Sequence, residues 1–225
     1  MPFMIIGILI VLALILAPQL WVRSVLLRHS APRPSIPQTG GEFARHLLDG
    51  MKLSHVKVEE TEQGDHYHPI AKAVRLKAEH FHGKSLTAVV IAAHEVGHAM
   101  QDATGYPPLR TRTRLVPFIE FVQTAGSAIL LAATVLGVVL RHPAVAIAGV
   151  AALVLMNISI VALHAVTLPV EFDASFKRAL PVLRDGRYLS GKDLSAARHI
   201  LNAAAYTYLA AALMSLLNVA RWLRR

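Results

Sequence analysis

Four apolar runs, at residues 3–20, 118–140, 144–168 and 200–220, alternate along the chain with segments whose hydrophobic positions recur at short periods. The runs at 118–140 and 144–168 are each long enough to cross about 30 Å of hydrocarbon as a helix. Only Arg141, His142 and Pro143 separate them, so they predict a tight helical hairpin. The first run ends at Trp21, Arg23 and Arg28, an interfacial aromatic followed by positive charge. No Lys or Arg precedes it and Pro18 spoils the obvious small-residue cleavage site, so it reads as a retained span rather than a cleaved leader. The last run is Ala-rich and follows a polar helix at 190–199; it reads as a fourth span.

The periodic segments predict a small α+β unit. Thr39 to Met51 places Phe43, Leu47 and Leu48 on one side of an amphipathic helix. Val56 to Thr61 alternates in the manner of a strand, and a second strand is expected within Ala71 to Ala78, where Val74 and Leu76 share a face. Between them Gly-Asp-His-Tyr-His-Pro, residues 64–69, reads as a hairpin loop because turn formers dominate it. The functional alternative for His66 and His68 is a substrate-contacting edge. Residues 29–41 are a Pro- and Gly-rich linker.

These signals divide the chain into a transmembrane anchor at 1–28, a catalytic region at 29–117, a transmembrane hairpin at 118–168, a helix and cytoplasmic segment at 169–199, and a C-terminal membrane helix at 200–225. Composition agrees: 54% of the residues are hydrophobic and the mean hydropathy is +0.47. Lys and Arg exceed Asp and Glu by 23 to 14. No aromatic-interleaved basic motif accompanies the excess, which argues against nucleic acid and for positive-inside topology. The basic residues Arg110, Arg112 and Arg114 before the hairpin, with Lys177, Arg178, Arg184 and Arg187 after it, put both flanks on the cytoplasmic side. Cysteine is absent, leaving His and carboxylates as ligands for any metal.

The chemistry centres on residues 85–104, which hold the pentad His94-Glu95-Val96-Gly97-His98. Ser85 can cap this helix, Gly105 marks its end, and Pro107 and Pro108 prevent continuation. At 3.6 residues per turn His94 and His98 lie one turn apart on one face, able to share an ion. Glu95 is rotated about 100° from His94, the placement of a general base acting on water rather than of a ligand. Two histidines leave zinc one protein ligand short. The segment Thr-Leu-Pro-Val-Glu-Phe-Asp-Ala-Ser, 167–175, supplies it, with Pro169 expected in the first turn of a new helix. Glu171 and Asp173 stand about 200° apart on such a helix, so only one faces the ion. Glu171 is the expected ligand, with Asp173 and Asp102 as candidates to orient a histidine or bond backbone, and His66, Tyr67 and His68 as candidate oxyanion donors.

With these residues in view the chain resembles the YugP-like family of bacterial membrane zinc metallopeptidases. The resemblance rests on Asp65-His66-Tyr67, on Ala92 through Ala99, on Gln101-Asp102 and on Thr167 through Ser175. More distantly it is similar to the HtpX-type and prenyl-protein membrane proteases, whose pentad histidines and a Glu in a later Glu-x-x-Ala helix bind zinc. That likeness assigns zinc to His94, His98 and Glu171 and the base to Glu95. Those relatives usually carry Asp directly after that Ala, where this chain has Ser175. The resemblance implies a mainly α membrane protein, a multi-span helical bundle with a small zincin-like α+β catalytic unit. It implies a zinc-dependent peptidase of a bacterial membrane; the charge pattern puts its site on the cytoplasmic face of the plasma membrane, and membrane or membrane-proximal polypeptides are the expected substrates. Two other readings stand: a non-proteolytic scaffold with structural zinc, and, as the enzymatic alternative, a prenyl-protein protease.

Overall fold

The computed structural model describes residues 16–140 and 142–206. The chain divides into two compact units, one of residues 16–106 with 169–206 and one of residues 107–168. The N-terminal half of the expected first span, and residues 207–225 of the expected fourth, lie outside the described residues.

In the first unit, helix α1 covers residues 16–28 and α2 covers Gly40–Gly50. Helix α2 starts on a reciprocal cap in which the Glu42 N–H donates to Thr39 Oγ1 and the Thr39 N–H donates to the Glu42 carboxylate. This satisfies two orphan donors of the first turn. Phe43, Leu47 and Leu48 are buried, as the amphipathic pattern requires. Helix α4, Leu86–Ala103, follows the short α3 at Ala78–Phe81. It begins where Ser85 Oγ accepts from the Ala88 N–H and ends before Gly105, whose φ of +66° favours glycine. The linker after α1 is tied to the start of α4: Pro32 bridges Ser85, and the Arg33 N–H donates to the Lys84 carbonyl.

Strands β1 (Lys57–Glu60), β2 (His66–His68) and β3 (Ala73–Leu76) form one sheet in the order β1-β3-β2. Residues 66–68 are therefore a strand and not the expected loop. Tyr67 is buried opposite Val74 and pairs antiparallel with β3, so β1 and β3 run parallel with β2 folded between them in sequence. One buried aromatic on a three-residue strand outweighed the turn formers around it. Because β2 is an edge strand, its outer side has no strand partner among the described residues.

The second unit is a hairpin of α5 (Pro107–Leu140) and the body of α6 (Pro143–Phe172). Both helices are long and apolar enough to cross a membrane. Gly126 packs on Met156 and Gly149 on Ala133, and the Gln123 amide donates to the Met156 carbonyl and to Ser159 Oγ. Small residues and a polar cross-link are what helix pairing in lipid uses. Outward-facing Phe118, Phe121, Leu131, Val139 and Ile147 are exposed.

Helix α6 does not restart at Pro169 but runs through it to Phe172. Losing one N–H there costs a hydrogen bond, and burial of Thr167 before the proline and of Val170 and Glu171 after it holds the turn in place. The irregularity comes four residues later, in a π-helical segment at Asp173–Ala179, before α7 at Leu180–Asp185 and α8 at residues 191–206. Ile200, Leu201 and Ala203 of α8 join the core of the first unit, so the start of the last apolar run is core there.

The π segment lies against α4 at Gly97, where an added Cβ would sit 2.7 Å from the Ala174 carbonyl oxygen. Helix propensity alone favours Ala over Gly by about 1 kcal/mol, whereas overpacking costs about 1–3 kcal/mol. Gly97→Ala is therefore expected to destabilise the protein in equilibrium unfolding and to weaken metal retention; a more stable variant would show that the two backbones do not need this approach.

Candidate metal centre

Three side chains from two elements of the first unit converge on one point. His94 and His98 rise from consecutive turns of α4 with their rings 4.8 Å apart, and Glu171 arrives from the last turn of α6. Glu171 Oε2 stands 3.2 Å from His94 Nε2 and 3.5 Å from His98 Nε2. All three donor atoms lie within 4.8 Å of one another. Zinc bonds of 2.0–2.1 Å at tetrahedral angles place neighbouring donors about 3.3 Å apart. The three side chains thus fit a zinc ion by donor type and by spacing. Glu171 is 3% exposed and His98 6%, so water does little to relieve the charge of the carboxylate.

Each imidazole is oriented through its other nitrogen. Gln101 Nε2 donates to the Val170 carbonyl at 2.7 Å and to Asp173 Oδ2 at 2.9 Å, two groups that can only accept. That settles the amide: Oε1 faces His98 and accepts its Nδ1–H at 2.9 Å, which leaves Nε2 with a free lone pair. Asp173 in turn receives Arg178 Nε at 2.7 Å, and the Arg178 guanidinium lies 5.7 Å from the centre of the Tyr106 ring. Residues five apart stand about 140° apart on an α-helix. The wider π turn brings Arg178 back over Asp173. Ser175 Oγ lies 3.1 Å from His94 Nδ1 and can accept its proton. Ser175, at the position where the more distantly similar families usually carry Asp, is therefore engaged with a histidine.

Glu95 is 6% exposed, with the Tyr67 backbone N–H close enough to favour its ionised form slightly. Burial pushes its carboxyl up to about 7, opposed by His94 and reinforced by Glu171 and Asp65. Asp65 is held below the usual carboxylate range: its burial is outweighed by His80, whose Nδ1 lies 2.8 Å from Asp65 Oδ2, and by the Lys77 N–H.

The structure assigns the remaining expected residues as follows. Asp102 does not orient a histidine; it accepts the Tyr67 hydroxyl and Lys72 Nζ, each at 2.5 Å. Its side chain leaves α4 toward the sheet, and the nitrogen of His98 is already taken by Gln101. Asp173 reaches His98 only through Gln101. Burial and the Asp102 carboxylate raise the Tyr67 hydroxyl above its ordinary value, and that hydroxyl is committed to Asp102. His66 and His68 lie on the face of β2 opposite Tyr67, with Nδ1 of His66 on the Gly64 carbonyl and Nδ1 of His68 accepting from the Ala71 N–H. Residue type and spacing gave no role at this site to Gln101 and Gly97, which stood only within the motifs that carry the resemblance, or to Arg178, which stood only as a flanking charge. A cleft of about 250 Å³ lined by Ile36, Phe43, Val89, Leu183 and Tyr188 lies off the opposite side of α4, since Val89 is nine residues and so half a revolution from His98.

A family model described as "Putative neutral zinc metallopeptidase" matches residues 3–225. The chain is 32% identical over 206 residues to a protein of Bacillus subtilis (strain 168) named "Putative membrane protease YugP", an alignment covering 91% of this chain and 88% of that one. No solved structure matches.

The raised Glu95 carboxyl has a stability consequence in metal-free protein. The folded state keeps this proton up to about pH 7, the unfolded chain only to its ordinary value of 4.5. Its contribution is thus fully present below that lower value and is lost as pH rises through the higher one. Glu95→Gln should therefore unfold like wild type near pH 4.5 and be roughly 2–4 kcal/mol more stable at pH 8. Paired denaturation curves after chelation check this; a difference independent of pH would contradict it.

Proposed function

This chain belongs to that zinc metallopeptidase family, and on that footing we propose that it is a membrane-bound peptidase that hydrolyses peptide bonds of membrane or membrane-proximal polypeptides. The observation that carries the reading is the placement of a buried carboxylate, Glu95, beside three side chains that fit a zinc ion without its being one of them. A structural zinc has no use for such a group, and burying it costs stability. A hydrolase needs it.

His94, His98 and Glu171 would hold the zinc, which when bound activates water and polarises the peptide carbonyl. Glu95 takes the proton of the attacking water, and the leaving amine receives it from the same carboxyl. A proton affinity near neutrality suits both halves of that task. Gln101 and Ser175 keep the imidazoles turned so that Nε2 and not Nδ1 meets the metal. The outer side of β2 lies next to Glu95 through the Tyr67 N–H, so an extended substrate segment adding to that edge would run past the base.

The hairpin of α5 and α6 supplies the membrane association. Arg110, Arg112 and Arg114 at the head of α5 favour a cytoplasmic site in a bacterial plasma membrane by the positive-inside rule.

Purified full-length protein tests this. Glu95→Gln should retain zinc near wild-type content while peptide cleavage falls by a factor of about 10²–10⁴. Glu171→Ala should lose zinc. Unchanged cleavage in Glu95→Gln would leave the scaffold reading, and equal zinc in wild type and Glu171→Ala would remove Glu171 from the ligand set.

A further inference from the structure

Tyr67 touches α4 at two places. Its hydroxyl donates to Asp102 Oδ2 at 2.5 Å, and its backbone N–H lies near enough to Glu95 to oppose the rise in that carboxyl's proton affinity. Glu95 and Asp102 are seven residues apart, two turns along one helix face, with His98 between them. Lys72 completes the set by placing Nζ 2.5 Å from the same oxygen of Asp102. Lys72 belongs to the turn between β2 and β3, where its φ of +50° is a left-handed conformation that Gly or Asn adopts more readily. A lysine kept in a strained position, reaching a carboxylate whose side chain is 20% exposed, points to a use for that contact.

We infer that Lys72, Asp102 and the Tyr67 hydroxyl form a clamp that holds edge strand β2 down on α4 and thereby fixes the direction of the Glu95 carboxylate. The argument is geometric. β2 is three residues long and paired on one side only, through His66, Tyr67 and His68. Two or three ladder positions do not by themselves hold an edge strand against fraying. The backbone N–H beside Glu95 is part of that strand, so its position is only as well defined as the strand's. Asp102 anchors the strand from the helix that also carries Glu95. Lys72 meets the same carboxylate oxygen, so a charge-assisted bond ties the turn after β2 to α4 as well. The three are positioning residues: nothing places them on the metal, and each acts on water only through Glu95.

The effect on turnover rests on the peptidase reading above; the mechanical part does not. The test uses full-length, zinc-loaded protein in nanodiscs, with Tyr67→Phe, Asp102→Asn and Lys72→Gln. Lys72→Gln alters a half-exposed side chain and so keeps the test interpretable if the buried substitutions fail to fold. Two readouts are taken. Amide exchange of residue 67 should quicken by about tenfold or more in all three. Turnover, kcat, should fall by about tenfold or more with KM changed by less than about threefold and zinc content unchanged. Tyr67→Phe combined with Asp102→Asn should be no worse than the more severe single variant, because both break one device.

Exchange at residue 67 that stays at the wild-type rate overturns the clamp, as does faster exchange with unaltered kcat. Loss of zinc in step with kcat also overturns it, since the residues would then be serving the metal site at large. A wild type that cleaves no peptide would count against the peptidase reading alone, and the exchange measurement would still decide for or against the clamp.

Discussion

Two imidazoles and a carboxylate share a volume from which water is nearly excluded, and none of the three is tolerable there without the others. Glu171 alone would be an uncompensated buried anion, a burden of several kcal/mol. His94 and His98 without a facing acid would leave two nitrogens unsatisfied. The nitrogens that Gln101 and Ser175 leave bare face Glu171 Oε2 at 3.5 and 3.2 Å, acceptor against acceptor, and a cation held among the three would resolve both problems. This mutual need ties the last turn of α6 to the middle of α4. The close backbone approach at Gly97 and the wide turn at Asp173–Ala179 follow from it. The close approach lets the later segment come near enough, and the wide turn lets Ser175, Asp173 and Arg178 serve an orienting network from one short stretch.

Much of this could be read from residue order because it depends on local chemistry. Ser85 and Gly105 bound α4, and Thr39 with Glu42 starts α2, since caps act within one turn of where they are written. Glu171 could be singled out because two histidines leave a zinc site one donor short and few acids follow the hairpin. What escaped has a common cause. Residues 66–68 became a strand through a pairing with Val74 that lies outside their own neighbourhood. Gln101 has no titratable group to draw attention, and its importance comes from three partners, only one of them nearby in sequence. The π segment has no composition of its own; it is imposed by what its residues must reach.

The division of labour between the two units follows hydropathy. The hairpin exposes Phe118, Phe121 and Leu131 and makes its internal polar bonds through Gln123 and Ser159, a surface suited to an apolar solvent. The other unit buries its apolar residues and assembles its ionisable groups. The chain passes from one to the other inside α6, two residues before Glu171, so the ligand stands at the first opportunity after the apolar stretch ends.

Gln101 stands where many zinc-binding histidines meet an acid, and the difference is electronic. A carboxylate hydrogen-bonded to an imidazole pulls on its proton, making the ring a stronger electron donor and softening the cation's pull on whatever else it holds. An amide transmits direction without that push. Here the acid, Asp173, is set one residue further back and faces Arg178, so its negative charge is spent locally. A cation held by His98 would keep more of its own electrophilicity, available to a carbonyl oxygen.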